Sequence, residues 1–488
     1  MALRIVNDDY RRGASFGPNN GLCRALVLSS RRVPLLEERP FPDPAGFRRA
    51  LGWLTLAGLL VRAAFVWLEP ATGPVADERM WVVWGADVLP SPEVAFSPLQ
   101  FRLIFHPPLY PYFIGLVSTG FRTLEAVKWA QAAVGALLIP ALGHLGRKVF
   151  GARVGLVAAT VAAFYPELVW FSAHFWVEGV FLVLLWWAFE RLVAADAEGS
   201  TPTAAVAGLL FGLSILARET ALYFIPVIAA WLAWRRPRGL VRTAALVLTT
   251  VVVVAPWTLR NYLVYDAFVP VSTAGALNLW QGNTRLSRQD VYEQYWAVKG
   301  RIEKYRFARG KGIEAIQERQ PLWIFEKLRE EMPTFWEADS QVLVHIRRGA
   351  YGDVSRLAAL LAAALVLLPY LAVLGFFVAG LTVVPLARGP QLLLGFLGYY
   401  NLLHVATHGY ARYRLPVMPV LFLVGALALV AWRAERRPSV SPRRKVVVGV
   451  VALALLLSLV PSLRLLVDHR ARGVPDPNDR ATEEGTDQ

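Results

Sequence analysis

The sequence predicts an all-α, polytopic membrane protein with about 11 transmembrane helices. Of its 488 residues, 56% are hydrophobic, and the mean hydropathy of +0.42 is far above that of a soluble protein of this length. Apolar runs of about twenty residues recur from near residue 50 almost to the end of the chain. The runs are continuous rather than alternating, which excludes a β-barrel and leaves helices as the spanning elements.

Hydropathy places the spans in order along the chain. The long apolar run 356–387 counts as one tilted or bent helix, because a hairpin there would break the alternation of the loops between the two faces of the membrane. The predicted spans are 48–68, 125–146, 152–170, 175–193, 203–217, 220–234, 241–262, 356–387, 390–407, 415–433 and 446–467.

Lys and Arg together number 51, against 36 Asp and Glu. In a soluble protein this excess would suggest a nucleic-acid partner, but here the basic residues cluster between apolar runs, and we expect no nucleic acid. By the positive-inside rule the N-terminus and the short basic loops are cytoplasmic in a multi-pass protein of the inner membrane. Two large polar segments, 69–124 and 263–352, then fall on the outer face, where we expect the functional site.

This topology divides the chain into parts with different expected roles. The single cysteine, Cys23, excludes intrachain disulfides and thiolate metal sites. The predicted parts are a partly disordered cytoplasmic tail (1–46), a transmembrane catalytic module with outer loop 69–124 (47–262), an outer-face segment (263–352), C-terminal transmembrane helices (353–470) and a disordered tail (471–488).

The first outer loop is predicted to hold two helices that lie in the plane of the membrane. Residues 78–89 place Trp81 and Trp84 on one stripe with Val88, and we expect these tryptophans to anchor the helix at the bilayer interface. A second interfacial helix over 107–119 is started by a Pro-Pro pair. In the second outer segment, residues 314–336 are predicted to form an amphipathic helix.

Candidate acids follow the first span and open the fourth. Asp77 is either the N-cap of the interfacial helix or a catalytic base, and these two roles are compatible. Glu78 beside it is not needed for capping. Glu178 lies at the outer mouth of a span, where its alternative role is to reach into the lipid headgroups. His174 would share a helical face with Glu178 if that helix extends so far.

Four arginines lie on the predicted outer face, against the positive-inside rule: Arg218, Arg260, Arg412 and Arg414. A guanidinium is permanently charged and its fork matches phosphate oxygens, so these residues together indicate an anionic ligand at the outer surface. The alternative for Arg218 is a local ion pair with Glu219. His106 is equally suited to hydrogen-bond a substrate hydroxyl or to cap the helix that the prolines start.

Several motifs are missing from the sequence. It has no Walker A loop, no GxGxxG between a strand and a helix, no HExxH, no cysteine cluster and no GxSxG. A nucleotide-powered pump and a cytoplasmic nucleotide-sugar enzyme are therefore disfavoured.

The ordered set of motifs carries a resemblance over about residues 48–435. The acid pair is followed by HPPLYP, VEGVFLVLLWWAF, RET, PWTLRNY, NLWQGN and RYRLPVMPVL. This order resembles the GT-C superfamily of polyprenyl-phosphate-sugar-dependent glycosyltransferases. Within it the chain is most similar to family 39, the bacterial relatives of protein O-mannosyltransferases and of lipid A aminoarabinose transferases.

The resemblance implies an enzyme that moves a sugar from a polyprenyl-phosphate carrier to a hydroxyl of a lipid, glycan or protein acceptor, by inverting displacement on the periplasmic face. Asp77 would be the base, and Glu178 would have a supporting or metal-binding role with Glu78. No cofactor is certain, and a divalent cation held by Glu78 and Glu178 is a candidate, although no DxD pair is present. The basic positions of the family fall on Arg218, Arg260 and Arg412 or Arg414, which would hold the carrier phosphate. The full set of candidate substrate-binding residues is His106, His174, Arg218, Arg260, Asn261, Asn283, Arg412 and Arg414.

The sequence fits two other classes of membrane protein less well than it fits the glycosyltransferase. A transporter or flippase for a lipid-linked or anionic solute should place charges near the middle of the membrane and often shows paired halves, which this sequence does not. A membrane scaffold that binds partners through 263–352 would leave the acids and outer arginines without a shared purpose. The glycosyltransferase is therefore the favoured prediction.

Overall fold

The computed structural model describes residues 44–69, 73–75, 77–88, 104–234, 237–434 and 440–467, without the side chains of 86–88 and 461–467. All regular secondary structure in these residues is helical, as predicted. The predicted N-terminal tail, apart from its last three residues, lies outside the described residues, and so do Cys23 and the predicted C-terminal tail.

Eleven α-helices and one 3₁₀-helix make up the described chain as far as Tyr265. They are α1 (Pro44–Leu68), α2 (Asp77–Val88), α3 (Leu109–Phe121), α4 (Glu125–Ala136), α5 (Leu138–Phe150), α6 (Ala152–Phe164), α7 (Pro166–Trp170), α8 (Glu178–Glu198), α9 (Thr201–Ala217), the 3₁₀-helix Glu219–Phe224, α10 (Ile225–Ala233) and α11 (Gly239–Tyr265).

The outer-face segment and the C-terminal part follow. They contain α12 (Ala274–Asn283), α13 (Arg288–Ala297), α14 (Arg301–Glu318), α15 (Trp323–Trp336), α16 (Gln341–Arg347), α17 (Arg356–Leu381), α18 (Arg388–Ala406), the 3₁₀-helix Ala411–Val417, α19 (Met418–Arg433) and α20 (Pro442–Val467). The amphipathic helix predicted over 314–336 is in fact the end of α14 and the whole of α15, separated by a short break.

Five helices in the described part of the chain are long and apolar enough to cross a bilayer: Pro44–Leu68, Glu125–Phe150, Gly239–Tyr265, Arg356–Leu381 and Ala411–Arg433. Shorter apolar helices cover 152–164, 201–217 and 219–233. The chain is therefore a multi-pass membrane protein, while the number of eleven spans stays a prediction.

Proline explains where one predicted span breaks. The span predicted over 152–170 stops at Phe164, because Tyr165 precedes Pro166 and has an extended backbone, with φ −66° and ψ 117°. By contrast, α17 continues through Pro369 as one helix, so the run from 356 is not a hairpin. It ends at Leu381, earlier than the predicted residue 387.

The centre of the bundle is formed by α8 and α19, whose side chains are buried along most of their length. Phe181, Trp186 and Phe189 of α8 are fully enclosed, and the Trp186 and Phe189 rings stack with centroids 5.0 Å apart. A rigid, buried helix therefore begins at Glu178 and fixes the position of that carboxylate.

The helices α12 to α16 build only a small core of their own. It consists of Ala276, Leu277, Trp280, Val291, Tyr295 and Ala308. Because this cluster is small, the segment depends on its contacts with the bundle for its position. Those contacts are made mainly by α15, which packs against α18, α20 and the 3₁₀-helix Ala411–Val417.

Candidate active site

The two adjacent acids at the start of α2 point in opposite directions. The Asp77 side chain is 48% exposed, whereas the Glu78 side chain is only 2% exposed. Glu78 also satisfies the start of the helix, because its Oε2 accepts the backbone N–H of Val75 at 2.9 Å. The neighbours therefore have separate roles, and Glu78 is too enclosed to act directly on a substrate.

Asp77 belongs to a chain of alternating charges. Nη1 of Arg412 donates to its Oδ2 at 3.2 Å, and Nε of Arg412 lies 3.7 Å from Oε1 of Glu178. The same Glu178 oxygen accepts a 2.8 Å hydrogen bond from Nη1 of Arg218. The structure thus brings together two acids and two arginines that come from four separate segments.

Aromatic rings hold both guanidinium groups in place. That of Arg412 lies 4.3 Å from the ring centroid of Trp176 and 5.3 Å from that of Tyr413. That of Arg218 lies 5.1 Å from the Tyr413 ring. Stacking on these rings orients the guanidinium planes and limits the water around them, which strengthens their interaction with an anion.

The predicted alternative for Arg218, an ion pair with Glu219, is wrong. Arg218 has an extended backbone between α9 and the following 3₁₀-helix, and its side chain turns to Glu178. Glu219 faces the other way and accepts the hydroxyl of Ser272 at 2.7 Å. It thereby stabilises the segment that leads into α12.

Behind α2 lies a buried cluster of acids and histidines. Nδ1 of His174 is 3.3 Å from Oε1 of Glu78, and Nε2 of His345 is 3.6 Å from Oε2 of Glu78. The other nitrogen of His174, Nε2, is 2.7 Å from Oε1 of Glu69 and 3.1 Å from the hydroxyl of Tyr351. One ligand atom each from Glu78, His174 and His345 lies within 4.8 Å of the others, a spacing that suits a single cation.

The electrostatics of this cluster favour its charged forms. Burial alone would raise the pKa of Glu78, but hydrogen bonds with His174 and His345 and with the Val75 N–H outweigh it and lower the pKa to about 2. Burial opposes protonation of His174, yet Glu69 and Glu78 on its two sides raise its pKa above the ordinary value. Glu78 is therefore an ionised carboxylate that is paired with His174.

Sequence reasoning missed three members of this cluster: Glu69, His345 and Tyr351. Glu69 directly follows the first span, so an acid at the end of an apolar run was a usable signal. The helix does not extend far enough for His174 to share a face with Glu178, because α8 begins at Glu178 and His174 lies in the turn before it.

His106 lies on the other side of α2, among aromatic rings. Its ring centroid is 4.8 Å from that of Trp81, 4.9 Å from that of Trp84 and 4.8 Å from that of Phe105. This burial, together with the positive charges of Arg218 and Arg412, lowers the pKa of His106 to about 3 despite the opposing charge of Asp77. His106 is therefore a neutral imidazole that can exchange hydrogen bonds with a hydroxyl group.

The tryptophan stripe of α2 does not face the bilayer. Trp81 and Trp84 are 5% and 6% exposed, and Trp81 packs edge to face against Tyr110 of α3 at 5.3 Å. The predicted role of these residues as interfacial anchors is therefore wrong. They instead fix α2 on α3, which sets the position of Asp77.

Arg260 and Asn261 hold the chain that leaves α11. The Asn261 amide donates to the carbonyls of Val269 at 3.0 Å and Val271 at 3.3 Å, and its oxygen accepts from Arg260 at 3.2 Å. The Arg260 guanidinium lies 4.9 Å from the Trp257 ring centroid. These contacts give both residues a supporting position, and their predicted role in substrate binding stays a prediction.

Asn283 and Arg414 secure the loop that carries Arg412. The Asn283 amide donates to the Ala406 carbonyl at 2.9 Å, and its oxygen accepts from the Trp323 indole at 2.7 Å. Arg414 is 1% exposed and donates to the carbonyls of Glu337, at 2.8 Å, and Asp339. The structure therefore separates Arg414, which is used for anchoring, from Arg412, which meets the acids.

Comparisons with known proteins bear on the family and the fold of the chain. Residues 105–259 match the family model of dolichyl-phosphate-mannose-protein mannosyltransferase, which confirms the predicted resemblance. No curated protein sequence matches the chain.

The fold has solved relatives. The archaeal oligosaccharyltransferase AglB from Archaeoglobus fulgidus, in complex with an inhibitory peptide and a dolichol-phosphate, is 15% identical with a TM-score of 0.50. The match covers 84% of this chain and 54% of AglB, so the chain spans about half the length of that protein. ArnT from Cupriavidus metallidurans, bound to undecaprenyl phosphate, is 14% identical with a TM-score of 0.44, over 83% of this chain and 64% of ArnT. The chain thus has a GT-C-like fold, and its residues 105–259 match the dolichyl-phosphate-mannose-protein mannosyltransferase family.

Proposed function

We propose that the protein is a glycosyltransferase that moves a sugar from a polyprenyl-phosphate carrier to a hydroxyl acceptor on the outer face of the inner membrane, by inverting displacement. The observation that carries this proposal is the charge chain Asp77–Arg412–Glu178–Arg218 at the mouth of the helix bundle. The match to the mannosyltransferase family and the dolichol-phosphate held by AglB support the same substrate class.

The arginines suit a lipid phosphate as leaving group. When the bond between sugar and phosphate breaks, negative charge grows on the phosphate, and the guanidinium groups of Arg218 and Arg412 are positioned to stabilise it. Their aromatic support keeps this stabilisation preorganised. The polyprenyl tail remains in the bilayer while its phosphate reaches the charge chain.

Asp77 suits the role of base. Its carboxylate is half exposed, so an acceptor hydroxyl can reach it, and Arg412 fixes its position through a 3.2 Å hydrogen bond to Oδ2. The acceptor oxygen then attacks the anomeric carbon as its proton passes to Asp77, while the polyprenyl phosphate leaves on the opposite side. Neutral His106 lies near enough to Asp77 to interact with it electrostatically and can orient the hydroxyl.

Glu178 has capacity for a further contact. Its Oε1 meets both arginines, but Oε2 is buried without a hydrogen-bond partner among the described residues. A sugar hydroxyl of the donor can satisfy this oxygen. We therefore assign Glu178 two roles, which are to space the arginines and to bind the sugar.

The buried cluster fits a divalent cation. Glu78, His174 and His345 offer a His₂-carboxylate donor set of the kind that zinc takes, and Nε2 of His345 points to Glu78 at 3.6 Å. Binding of a cation would displace a proton from His174. A bound cation would supply a fixed positive charge beside α2. These residues themselves tie together the start of α2, the turn before α8 and α16.

The orientation in the membrane is supported by α8. Glu178 begins this helix and Asp196 lies near its end, about 27 Å away along the axis, which matches the thickness of a bilayer core. At that end Asp196 accepts from Arg388 at 2.9 Å, and Lys148 lies 3.7 Å from Glu198. The basic residues therefore lie opposite the charge chain, as expected if the site faces outward and the N-terminus is cytoplasmic.

The direct test is turnover of a carrier-linked sugar. Purified protein in nanodiscs is supplied with a panel of polyprenyl-monophosphate sugars and with envelope lipids, glycans and proteins as acceptors. We expect release of polyprenyl phosphate from at least one donor, coupled to transfer of its sugar. No release from any donor, together with no measurable affinity for polyprenyl phosphate, would overturn the proposal.

A further inference from the structure

A buried ion pair on α15 holds the loop that precedes Arg412. Lys327 is 0% exposed, and its Nζ donates to Oε1 of Glu331 at 2.7 Å, one helical turn away. The same ammonium donates to the carbonyl of Gly282 and lies 3.4 Å from the carbonyl of Thr407. One lysine thus joins α12, α15 and the segment that follows α18.

The second oxygen of Glu331 continues the connection. Its Oε2 accepts the backbone N–H of Gly409 at 2.6 Å and lies 3.5 Å from Nδ1 of His408. The backbones approach so closely that a Cβ at Gly409 would overlap the Glu331 carbonyl, and one at Gly282 would overlap the Thr407 carbonyl. The loop is therefore held against α15 by charge and by contact.

Arg412 lies between two anchors on the same outer segment. Gly409 precedes it and is fixed by Glu331, whereas Arg414 follows it and donates to the carbonyls of Glu337 and Asp339. Only two residues separate Gly409 from Arg412, so a displacement at Glu331 is transmitted to the guanidinium that meets Asp77.

A contribution to folding stability does not by itself explain why Lys327 and Glu331 are buried. Burying an ammonium and a carboxylate costs desolvation energy that the ion pair does not reliably recover, and an apolar pair of similar size would often serve stability as well. The neighbouring Glu330, by contrast, is 53% exposed and pairs with Arg319 from the solvent side. A buried ion pair with fixed hydrogen-bond partners is suited to holding the segment around Gly409 in one position.

We propose that Lys327 and Glu331 are positioning residues, which set the Arg412 guanidinium at the distance from Asp77 and Glu178 that carrier-phosphate binding requires. This inference rests on the proposed function, because it takes Arg412 as a ligand of the carrier phosphate. Lys327 and Glu331 themselves touch no substrate.

The test is a double-mutant cycle between Glu331→Gln and Arg412→Ala, with affinity for a polyprenyl monophosphate in nanodiscs as the readout. We expect Glu331→Gln to weaken binding about five- to tenfold, which corresponds to the loss of one good hydrogen bond. In the Arg412→Ala background the same change should have no further effect. Glu330→Gln, one residue away and exposed, should bind like the wild type.

Two outcomes contradict the positioning role. Either Glu331→Gln binds like the wild type, or it weakens binding equally with and without Arg412, which would make its effect independent of that residue. Should Glu331→Gln not fold, the double variant Lys327→Met/Glu331→Gln removes both buried charges and takes its place in the cycle. The same four proteins can also be compared by melting temperature, which needs no carrier. If the shifts from Glu331→Gln and Arg412→Ala simply add, the positioning role is contradicted. Failure of the wild type to bind the carrier contradicts the proposed function instead.

Discussion

Nη1 of Arg412 lies 3.2 Å from Oδ2 of Asp77, although the two residues are 335 positions apart in the chain. Nε of the same guanidinium lies 3.7 Å from Glu178. One arginine therefore joins a half-exposed carboxylate to a buried one at the mouth of the bundle. This relationship places a candidate base beside a candidate phosphate ligand.

Removing the charge of Arg412 or Arg218 should weaken binding of the carrier phosphate. A hydrogen bond to a charged group contributes about 1.5–3 kcal/mol, so Arg412→Ala or Arg218→Ala should lower the affinity for polyprenyl phosphate by roughly 10- to 150-fold. Arg260→Ala should have a smaller effect, because Arg260 is engaged with Asn261 and Trp257. The exposed Arg309→Ala is the control, and equal losses in all variants would contradict the assignment.

Zinc should stabilise the protein through the buried cluster. A ligand at one hundred times its Kd adds about 2.7 kcal/mol to the free energy of unfolding, so the melting temperature of metal-stripped protein should rise when Zn²⁺ is added. His174→Gln and His345→Gln should abolish this rise, while His144→Gln, outside the cluster, should keep it. A zinc-dependent rise that survives in both cluster variants would show that the metal binds elsewhere.

The buried imidazole of His106 should make stability depend on pH. Its pKa is about 3 in the folded protein and near 6.5 in the unfolded chain, so below pH 6.5 the unfolded state binds a proton that the folded state does not. Stability should therefore fall as the pH is lowered from 7.5 to 5, by about 2 kcal/mol from this residue. Melting curves of His106→Gln should show a smaller decline, and curves that remain parallel to those of the wild type would contradict the burial effect.

The outer segment should be accessible from outside the cell. With Cys23 replaced by serine, a cysteine introduced at the exposed Glu293 should react with a membrane-impermeant maleimide in intact cells, whereas one at the exposed Arg443 should react only after lysis. The opposite pattern would reverse the topology and place the charge chain on the cytoplasmic face.

The sequence was sufficient to predict the helices and part of the site. Hydropathy identifies spans because the bilayer demands long apolar helices, and the arginines were conspicuous because they violate the positive-inside rule. The convergence of Asp77 with Glu178 followed from their shared predicted face. Their connection through Arg412, and not through Arg414, depends on how a short 3₁₀-helix turns and has no signal in the local sequence.

Other features could not be predicted from the sequence, because tertiary contacts determine them. An apolar stripe has the same sequence pattern whether it faces lipid or protein. The sequence therefore predicts Trp81 and Trp84 at the bilayer, although in the fold they pack on α3. His345 belongs to none of the motifs identified in the sequence, and only the fold brings it close to Glu78. Lys327 and Glu331 have the i,i+4 spacing of an ordinary helical ion pair, and only the fold shows that they are buried.

Asp77 is the proposed base for transfer of a sugar from a polyprenyl-phosphate carrier. The most direct measurement compares wild type and Asp77→Asn for sugar transfer and for polyprenyl-phosphate affinity in the same nanodiscs, with the exposed Glu293→Gln as control. We predict that Asp77→Asn lowers transfer by about 10²- to 10⁴-fold and binds the carrier as tightly as the wild type or more tightly, because a negative charge near the phosphate is removed. Transfer at the wild-type rate by Asp77→Asn would contradict the account.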